Sequence, residues 1–208
     1  MSVEKINTVI VGAGQAGIAM SEHLAQMGVP HVVLERSRIA ERWRSERWDS
    51  LVANGPAWHD RFPSLKFDNI SQEAFPPKER MAQYFEDYAK MLDAPVRTGV
   101  EVHQVVRLLG RSGFKVVTSA GEFEADNVVA ATGPFQKPSF PQIVPETTGL
   151  QQIHSSAYKN PQQLPAGGVL VVGAGASGTQ IAEELRKSGR EVYLSVGEHY
   201  RPPRAYRN

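Results

Sequence analysis

Two hydrophobic rhythms alternate over the first 35 residues. Residues 6–11 form a short, β-branched apolar run that stops at a glycine, the pattern of a buried strand. Ile18, Ala19, Met20, Leu24 and Met27 then recur at helical spacing over residues 14–27, and Gly28 stands where a helix terminates. A second apolar run, 31–34, is closed by Glu35. Strand, helix and strand in so short a stretch predict a parallel β-α-β unit.

The rhythm is lost over residues 40–75, which are irregular and rich in Trp, Arg and Pro. Ordered loops of that length tend to carry function. Residues 78–92 predict a helix with Met81, Tyr84, Phe85 and Tyr88 on one face, a stripe suited to core packing. Segments 105–109, 114–118 and 127–131 alternate like strands and predict a small antiparallel layer leading back to the main sheet. Prolines 134, 138, 141 and 145 mark a linker, so the chain divides into domains at 1–147 and 148–208. Past the linker, 168–172, 176–187 and 191–196 repeat the opening strand, helix and strand. The second domain is thus expected to be incomplete, holding only a first β-α-β unit before a basic, Pro-rich tail.

Each strand-to-helix junction carries the same glycine spacing. The first reads Gly12, Gly14, Gln15, Ala16, Gly17, and the second Gly173, Gly175, Ala176, Ser177, Gly178. At such a junction one glycine makes the tight turn, one lets a pyrophosphate reach the backbone, and one lets helix and strand pack closely. The helix N-terminus offers unpaired N–H groups to phosphate oxygens. A glycine-rich turn that binds nothing is the alternative in both places. Glu35 lies 18 residues beyond Gly17, where a carboxylate can accept hydrogen bonds from ribose hydroxyls and repel a 2′-phosphate. The same count from Gly178 reaches Val196, flanked by Ser195 and Gly197, with Arg201 and Arg204 following. A hydroxyl and guanidinium groups suit a 2′-phosphate, although Arg201, Arg204 and Arg207 could equally form a solvated basic tail. An acid-tipped site beside an acid-free one points to two cofactors, FAD held at the first and NADPH visiting the second.

Composition narrows the chemistry. With 23 basic and 22 acidic residues the net charge is +1, so attraction to nucleic acid or to an anionic membrane is not expected. The 208 residues include no cysteine, which excludes disulfides, thiolate metal sites and any thiol relay, and no metal is expected. A disulfide reductase, which also pairs FAD with a nicotinamide cofactor, would need a redox-active cysteine pair. The N-terminus lacks the pattern of a secretory signal, and no apolar run approaches the roughly 20 residues a bilayer requires, so the cytoplasm is the expected location.

These motifs, together with residues 41–48, 51–60, 75–78, 131–133 and 149–158, resemble the N-terminal half of a flavin-dependent monooxygenase. The class includes flavin-containing monooxygenases, plant auxin-synthesis (YUCCA) enzymes, Baeyer–Villiger enzymes and bacterial flavoprotein monooxygenases. The resemblance implies an α/β flavoprotein with two dinucleotide-binding domains. The first would be a Rossmann-like FAD domain with a small antiparallel β layer, and the second the start of a Rossmann-like NADPH domain. It places the Trp43–Arg44 region over the flavin and Asn54 beside the isoalloxazine ring, with Arg36, Trp48 and Val100 also around FAD. Ala131, Thr132 and Gly133 would mark the return of the chain to the cofactor. Ser195 and Arg201 would join Gly173, Gly175 and Gly178 on NADPH. The implied chemistry is reduction of FAD by NADPH, reaction with O₂ to a C4a-(hydro)peroxyflavin, and transfer of one oxygen atom to a small organic substrate.

Local chemistry offers plainer readings of some of these residues. Asn54 precedes Gly55-Pro56 and could be a turn asparagine. Trp43, Trp48 and Trp58 could roof a core. His154 lies five residues past Gly149 rather than the family's four, and Thr147 replaces its phenylalanine; the histidine could simply be bonded to linker backbone. Another FAD and nicotinamide oxidoreductase without a disulfide relay remains an alternative, as does an FAD-binding fragment with little turnover. An unfinished second sheet would leave an edge for self-association or for a missing C-terminal segment.

Overall fold

The computed structural model describes residues 3–135, 137–141, 144–145 and 148–198. The expectations about Thr147, Arg201, Arg204 and Arg207 lie outside them.

The chain builds one six-stranded sheet and one two-stranded sheet among the described residues. Strand β1 (Val3–Val11) and helix α1 (Gln15–Gln26) lead to β2 (His31–Glu35), which pairs parallel with β1. After the short helix α2 (Glu41–Ser45) and a long excursion come helix α3 (Lys78–Met91) and strand β3 (Val96–Thr98). Strands β4 (Val102–Arg107), β5 (Phe114–Thr118) and β6 (Gly121–Ala130) follow. The order in the sheet is β3-β2-β1-β6-β5-β4. β3, β2, β1 and β6 run parallel, while β5 and β4 are antiparallel neighbours on the β6 side. The expected antiparallel segment is therefore continuous with the main sheet. β6 makes this possible, because it pairs with β1 from Glu122 to Ala130 while its first five residues also pair with β5.

Parallel strands are covered on both faces, and β1 shows the consequence. Val9 and Ile10 are both fully buried yet belong to different core clusters, one on each side of the sheet. Register brings Val11 opposite both Leu34 and Ala130. The next residues, Gly12, Glu35 and Ala131, consequently leave the carboxyl edge of the sheet side by side, where doubly wound sheets bind ligands.

The aromatic stripe of α3 is core, as its spacing predicts: Met81, Tyr84, Phe85 and Tyr88 are all buried. The excursion is ordered by stacking on that stripe. Phe62 lies 4.0 Å from the Tyr88 ring and Phe67 lies 4.0 Å from the Tyr84 ring. The Tyr84 hydroxyl accepts from Phe62 N at 2.7 Å and donates to Leu65 O at 2.6 Å. Helix α2 and strand β3, five and three residues long, show too little periodicity to be read from sequence.

Strand β7 (Val169–Val172), helix α4 (Ala176–Lys187) and strand β8 (Val192–Ser195) form the second β-α-β unit, with β7 and β8 parallel. Ile181 and Leu185 of α4 are buried in one cluster with Trp48, Leu51 and Tyr158. The excursion of the first unit thus serves as a core face for the second.

Candidate functional site

At the first glycine turn the backbone has no slack. Gly12 has φ +105°, and a Cβ there would meet Ala131 O at 2.6 Å. A Cβ on Gly17 would fall 1.9 Å from Gly12 O, a distance no side chain tolerates. Gly14 is different: a Cβ on it would meet nothing within 4 Å. Two glycines are required for packing and the third faces open space, the division of labour that a pyrophosphate cradle needs. Gly14 caps α1 without a side-chain bond, and the first turn of that helix carries no acid, so its N–H groups and partial positive charge remain open to phosphate.

Glu35 is held at this turn by two backbone donors. Its Oε2 accepts from Ala13 N and its Oε1 from Ser37 N, both at 2.9 Å. Gly12 N donates to Leu34 O at 2.8 Å and Val100 N to Glu35 O at 3.0 Å, which gathers Gly12, Gly14, Glu35 and Val100 at one end of the sheet. Ala131 and Thr132 abut Gly12. Gly133 follows them with φ +78°. Arg36 is exposed beside Glu35.

The second turn repeats the first with one side missing. Gly173 has φ +102° and donates to Ser195 O at 3.0 Å, and a Cβ on Gly178 would fall 1.9 Å from Gly173 O. Around Gly173 itself, however, a Cβ would meet nothing within 4 Å. Val172 pairs with Ser195 as Val11 pairs with Leu34, so Ser195 holds the place of Leu34 and Val196 that of Glu35. Successive side chains of a strand leave on opposite faces, so the group in the place of the Glu35 carboxylate is the exposed Val196 side chain, and Ser195 closes the turn through its carbonyl. An exposed carboxylate, Glu198, follows two residues later.

The tryptophans separate. Trp48, expected around FAD, is 3% exposed and sits in the cluster with Leu51, Tyr158, Ile181 and Leu185. Its ring fills core because α4 packs on this segment. Trp43 is half-buried, with its ring 6.2 Å from that of Phe85, and Trp58 is exposed. Arg44 pairs with Glu86 at 2.9 Å, but its Nη1 and Trp48 Nε1 are buried donors with no acceptor among the described residues. Orphaned donors of this kind cost about 1–3 kcal/mol unless a ligand or water answers them. Nearby, Arg42 donates to Phe135 O and the Arg47 guanidinium lies 5.5 Å over the Phe135 ring, fastening the segment that leaves Gly133. Burial pushes the Arg47 pKa below its ordinary value.

Asn54 is exposed, and its flanks are fixed on two sides. Ala53 and Ala57 are buried in the same cluster as Ile18, the residue after Gly17. Gly55 N donates to Asp60 Oδ2 at 2.8 Å, and a Cβ on Gly55 would strike Asp60, which accounts for the glycine after Asn54. His154 forms a local turn instead of reaching a glycine motif: its Nδ1 lies 2.9 Å from Ser156 Oγ and accepts from Ser156 N at 3.2 Å.

Several anchoring residues escaped the sequence reading. Glu22, buried on α1, accepts from the hydroxyls of Ser64 and Tyr88. Burial opposes its ionisation, but those two bonds and nearby His23 outweigh it and hold the carboxyl below its usual range. Burial and this bond push the Tyr88 hydroxyl up to about 12. A carboxylate four residues from Ile18, on the apolar face of α1, was the available signal. α4 has a counterpart, since the Tyr158 hydroxyl donates to Glu184 at 2.7 Å and is pushed well up by burial and that bond. Lys78, 5% exposed, reaches Asp49 Oδ1 at 3.2 Å, while Asn160 donates to Asp49 Oδ2 at 2.8 Å; these two bonds, Asn160's foremost, lower the Asp49 pKa.

A family model described as pyridine nucleotide-disulphide oxidoreductase matches residues 9–205. The chain belongs to that family. Its name covers disulfide chemistry that these 208 residues, with no cysteine, cannot perform. An uncharacterized CzcO-like oxidoreductase of Geobacillus kaustophilus is 41% identical over 194 residues, which is 92% of this chain and 54% of that protein. The rice indole-3-pyruvate monooxygenase YUCCA1 is 34% identical over 195 residues, 90% of this chain and 47% of its own length. A solved double mutant of the flavin monooxygenase from Stenotrophomonas maltophilia superposes with a TM-score of 0.82 at 25% identity. That match covers 95% of this chain and 59% of the other. The resemblance to flavin monooxygenases is therefore borne out, and the chain spans about half the length of the curated relatives it matches. Among the described residues no helix is long and apolar enough to cross a membrane.

Proposed function

We propose that this chain is the FAD-binding and nicotinamide-docking portion of a monooxygenase that consumes NADPH and inserts one atom of O₂ into a small organic substrate. The observation that carries the reading is the first glycine turn, with Gly12 and Gly17 locked by packing, Gly14 facing open space and Glu35 beside it. Residues 1–147 form the flavin domain in this reading, and 148–208 begin the nicotinamide domain.

The donor set suits FAD. The open N–H groups at the start of α1 receive the pyrophosphate. Glu35 keeps its two backbone bonds and has acceptor capacity left for ribose hydroxyls. Ala131, Thr132 and Gly133 line the same end of the sheet, and the orphaned Arg44 Nη1 offers a donor to a ligand rich in carbonyl and phosphate oxygens. Bound FAD would supply electron transfer and oxygen activation. Asn54 then contributes an amide that can donate to the flavin edge and accept from the nicotinamide, holding the two in register. At the second turn Gly175 faces open space and Val196 replaces the ribose-binding acid, which removes a carboxylate that would repel a 2′-phosphate. Relatives named as monooxygenases and the absence of a cysteine pair favour oxygenation over disulfide reduction.

An absorption spectrum of the purified protein tests this directly. Flavin bands that bleach when NADPH is added are expected. Colourless protein that gains no flavin on titration would sink the proposal.

A further inference from the structure

Residues 51–53 form the middle rung of a ladder whose third rail is a side chain. On one edge Ala53 N donates to Pro76 O at 2.8 Å and Lys78 N to Leu51 O at 3.0 Å, so that Val52 faces Pro77 in an isolated antiparallel bridge. In such a pair the N–H and C=O of the central residue point to the opposite edge. There the Gln180 carboxamide meets both. Val52 N donates to its Oε1 at 3.4 Å, and its Nε2 donates to Val52 O at 3.3 Å. An amide offers one acceptor and two donors in a plane, and so can imitate a neighbouring strand for one residue. Gln180 lies two positions past Gly178, in the first half of α4, while Asn54 lies two positions past Val52. The flanks of Asn54 share a core cluster with Ile18, so its loop is mounted on the first dinucleotide helix by packing and on the second by this amide.

We infer that Gln180 is a positioning residue. It sets the Asn54 loop in register with the second glycine turn, so that a dinucleotide held there presents its nicotinamide to the flavin. The inference rests on the proposed function above. Hydride transfer demands close alignment, and small displacements at such a centre cost large factors in rate. Gln180 touches neither cofactor and would act through Val52.

The test compares wild-type, Gln180→Leu and Gln180→Glu protein, each carrying FAD. Hydrogen exchange is followed over residues 51–55, with and without oxidised NADP, and NADPH-driven flavin reduction is followed in single turnovers. Gln180→Leu should retain FAD and melt close to wild type, exchange the Val52 amide about tenfold faster and reduce flavin about tenfold more slowly, with the NADPH concentration dependence little changed. Gln180→Glu should behave likewise at neutral pH, where it lacks the donor for Val52 O. Protection should return as the new carboxyl protonates near pH 4–5, roughly its unperturbed range. Exchange at Val52 as slow in Gln180→Leu as in wild type overturns the clamp. Lost protection with an unchanged reduction rate overturns its positioning role. Wild-type flavin that NADPH does not reduce would count against the proposed function, and the exchange measurement would still decide the clamp.

Discussion

The two glycine turns of this chain have the same spacing, the same positive φ at the first glycine and the same 1.9 Å approach between the third glycine and the first. They differ in what surrounds them. Gly12 is pressed against Ala131 because β6 runs beside β1, whereas nothing described lies within 4 Å of the space beside Gly173. In β1, Val9 and Ile10 are completely buried; in β7, Leu170 and Val172 are 61% and 59% exposed. A local motif dictates its own backbone, but the tightness with which it is held is a property of the sheet around it. The first turn is enclosed by its neighbours. The second is correctly shaped but loosely supported among the described residues.

Adding a methyl group at the third glycine of each turn puts this contrast under the greatest strain. Gly17→Ala should destabilise by about 3 kcal/mol and abolish flavin binding, because Gly12 cannot retreat from Ala131. Gly178→Ala should cost about 1 kcal/mol, since the turn at Gly173 has room to yield. Chemical denaturation and the flavin spectrum read both, and equal losses would break the contrast. Core truncation should come next. Ile10→Ala is expected to cost about 2–4 kcal/mol and Leu170→Ala less than about 0.5, measured as shifts in the urea midpoint.

Restoring the missing acid sharpens the chemical half of the comparison. Val196→Glu puts a carboxylate where Glu35 sits in the first turn and should move preference from NADPH towards NADH by about tenfold or more, or roughly 1.4 kcal/mol. The ratio of kcat/KM for the two nucleotides checks it, and an unchanged ratio would mean that residues beyond β8 decide the choice. The smallest effect concerns the anchoring of α1. The Glu22 carboxyl is held below its ordinary value, so its contribution is complete above an unfolded value of about 4.3 and is lost as pH falls through the folded value. Tyr88, raised to about 12, behaves oppositely: its contribution is complete below about pH 10 and is lost as pH rises through about 12. Glu22→Gln should cost about 1 kcal/mol at neutral pH and flatten the acid limb of a stability profile taken by urea titration from about pH 6 to 3.

Much of this was legible before folding was considered. The glycine turns, the helices beginning at Gln15 and Ala176, the aromatic face of α3 and Glu35 at a strand tip all follow from short-range rules, because each feature is enforced within a few residues of itself. Trp48 was misread for the opposite reason. The resemblance set Trp48 around FAD while local chemistry equally allowed it to roof a core, and only the arrival of α4 shows that it is core. Ser195 illustrates a finer limit: the count along the chain reaches Val196, and strand register likewise sets Val196, not its neighbour Ser195, in the place that Glu35 holds in the first unit.

By itself, then, the sequence determined the two β-α-β units, their phosphate-shaped turns and the difference between an acid-tipped and an acid-free second strand. Tertiary structure alone decided how these parts are joined. The Glu22–Tyr88 bond links residues 66 positions apart and the Gln180–Val52 pair residues 128 apart. No periodicity records such partnerships. A lone glutamate or glutamine has the same local preferences whether it meets water or a backbone, and which it meets depends on where the rest of the chain is packed.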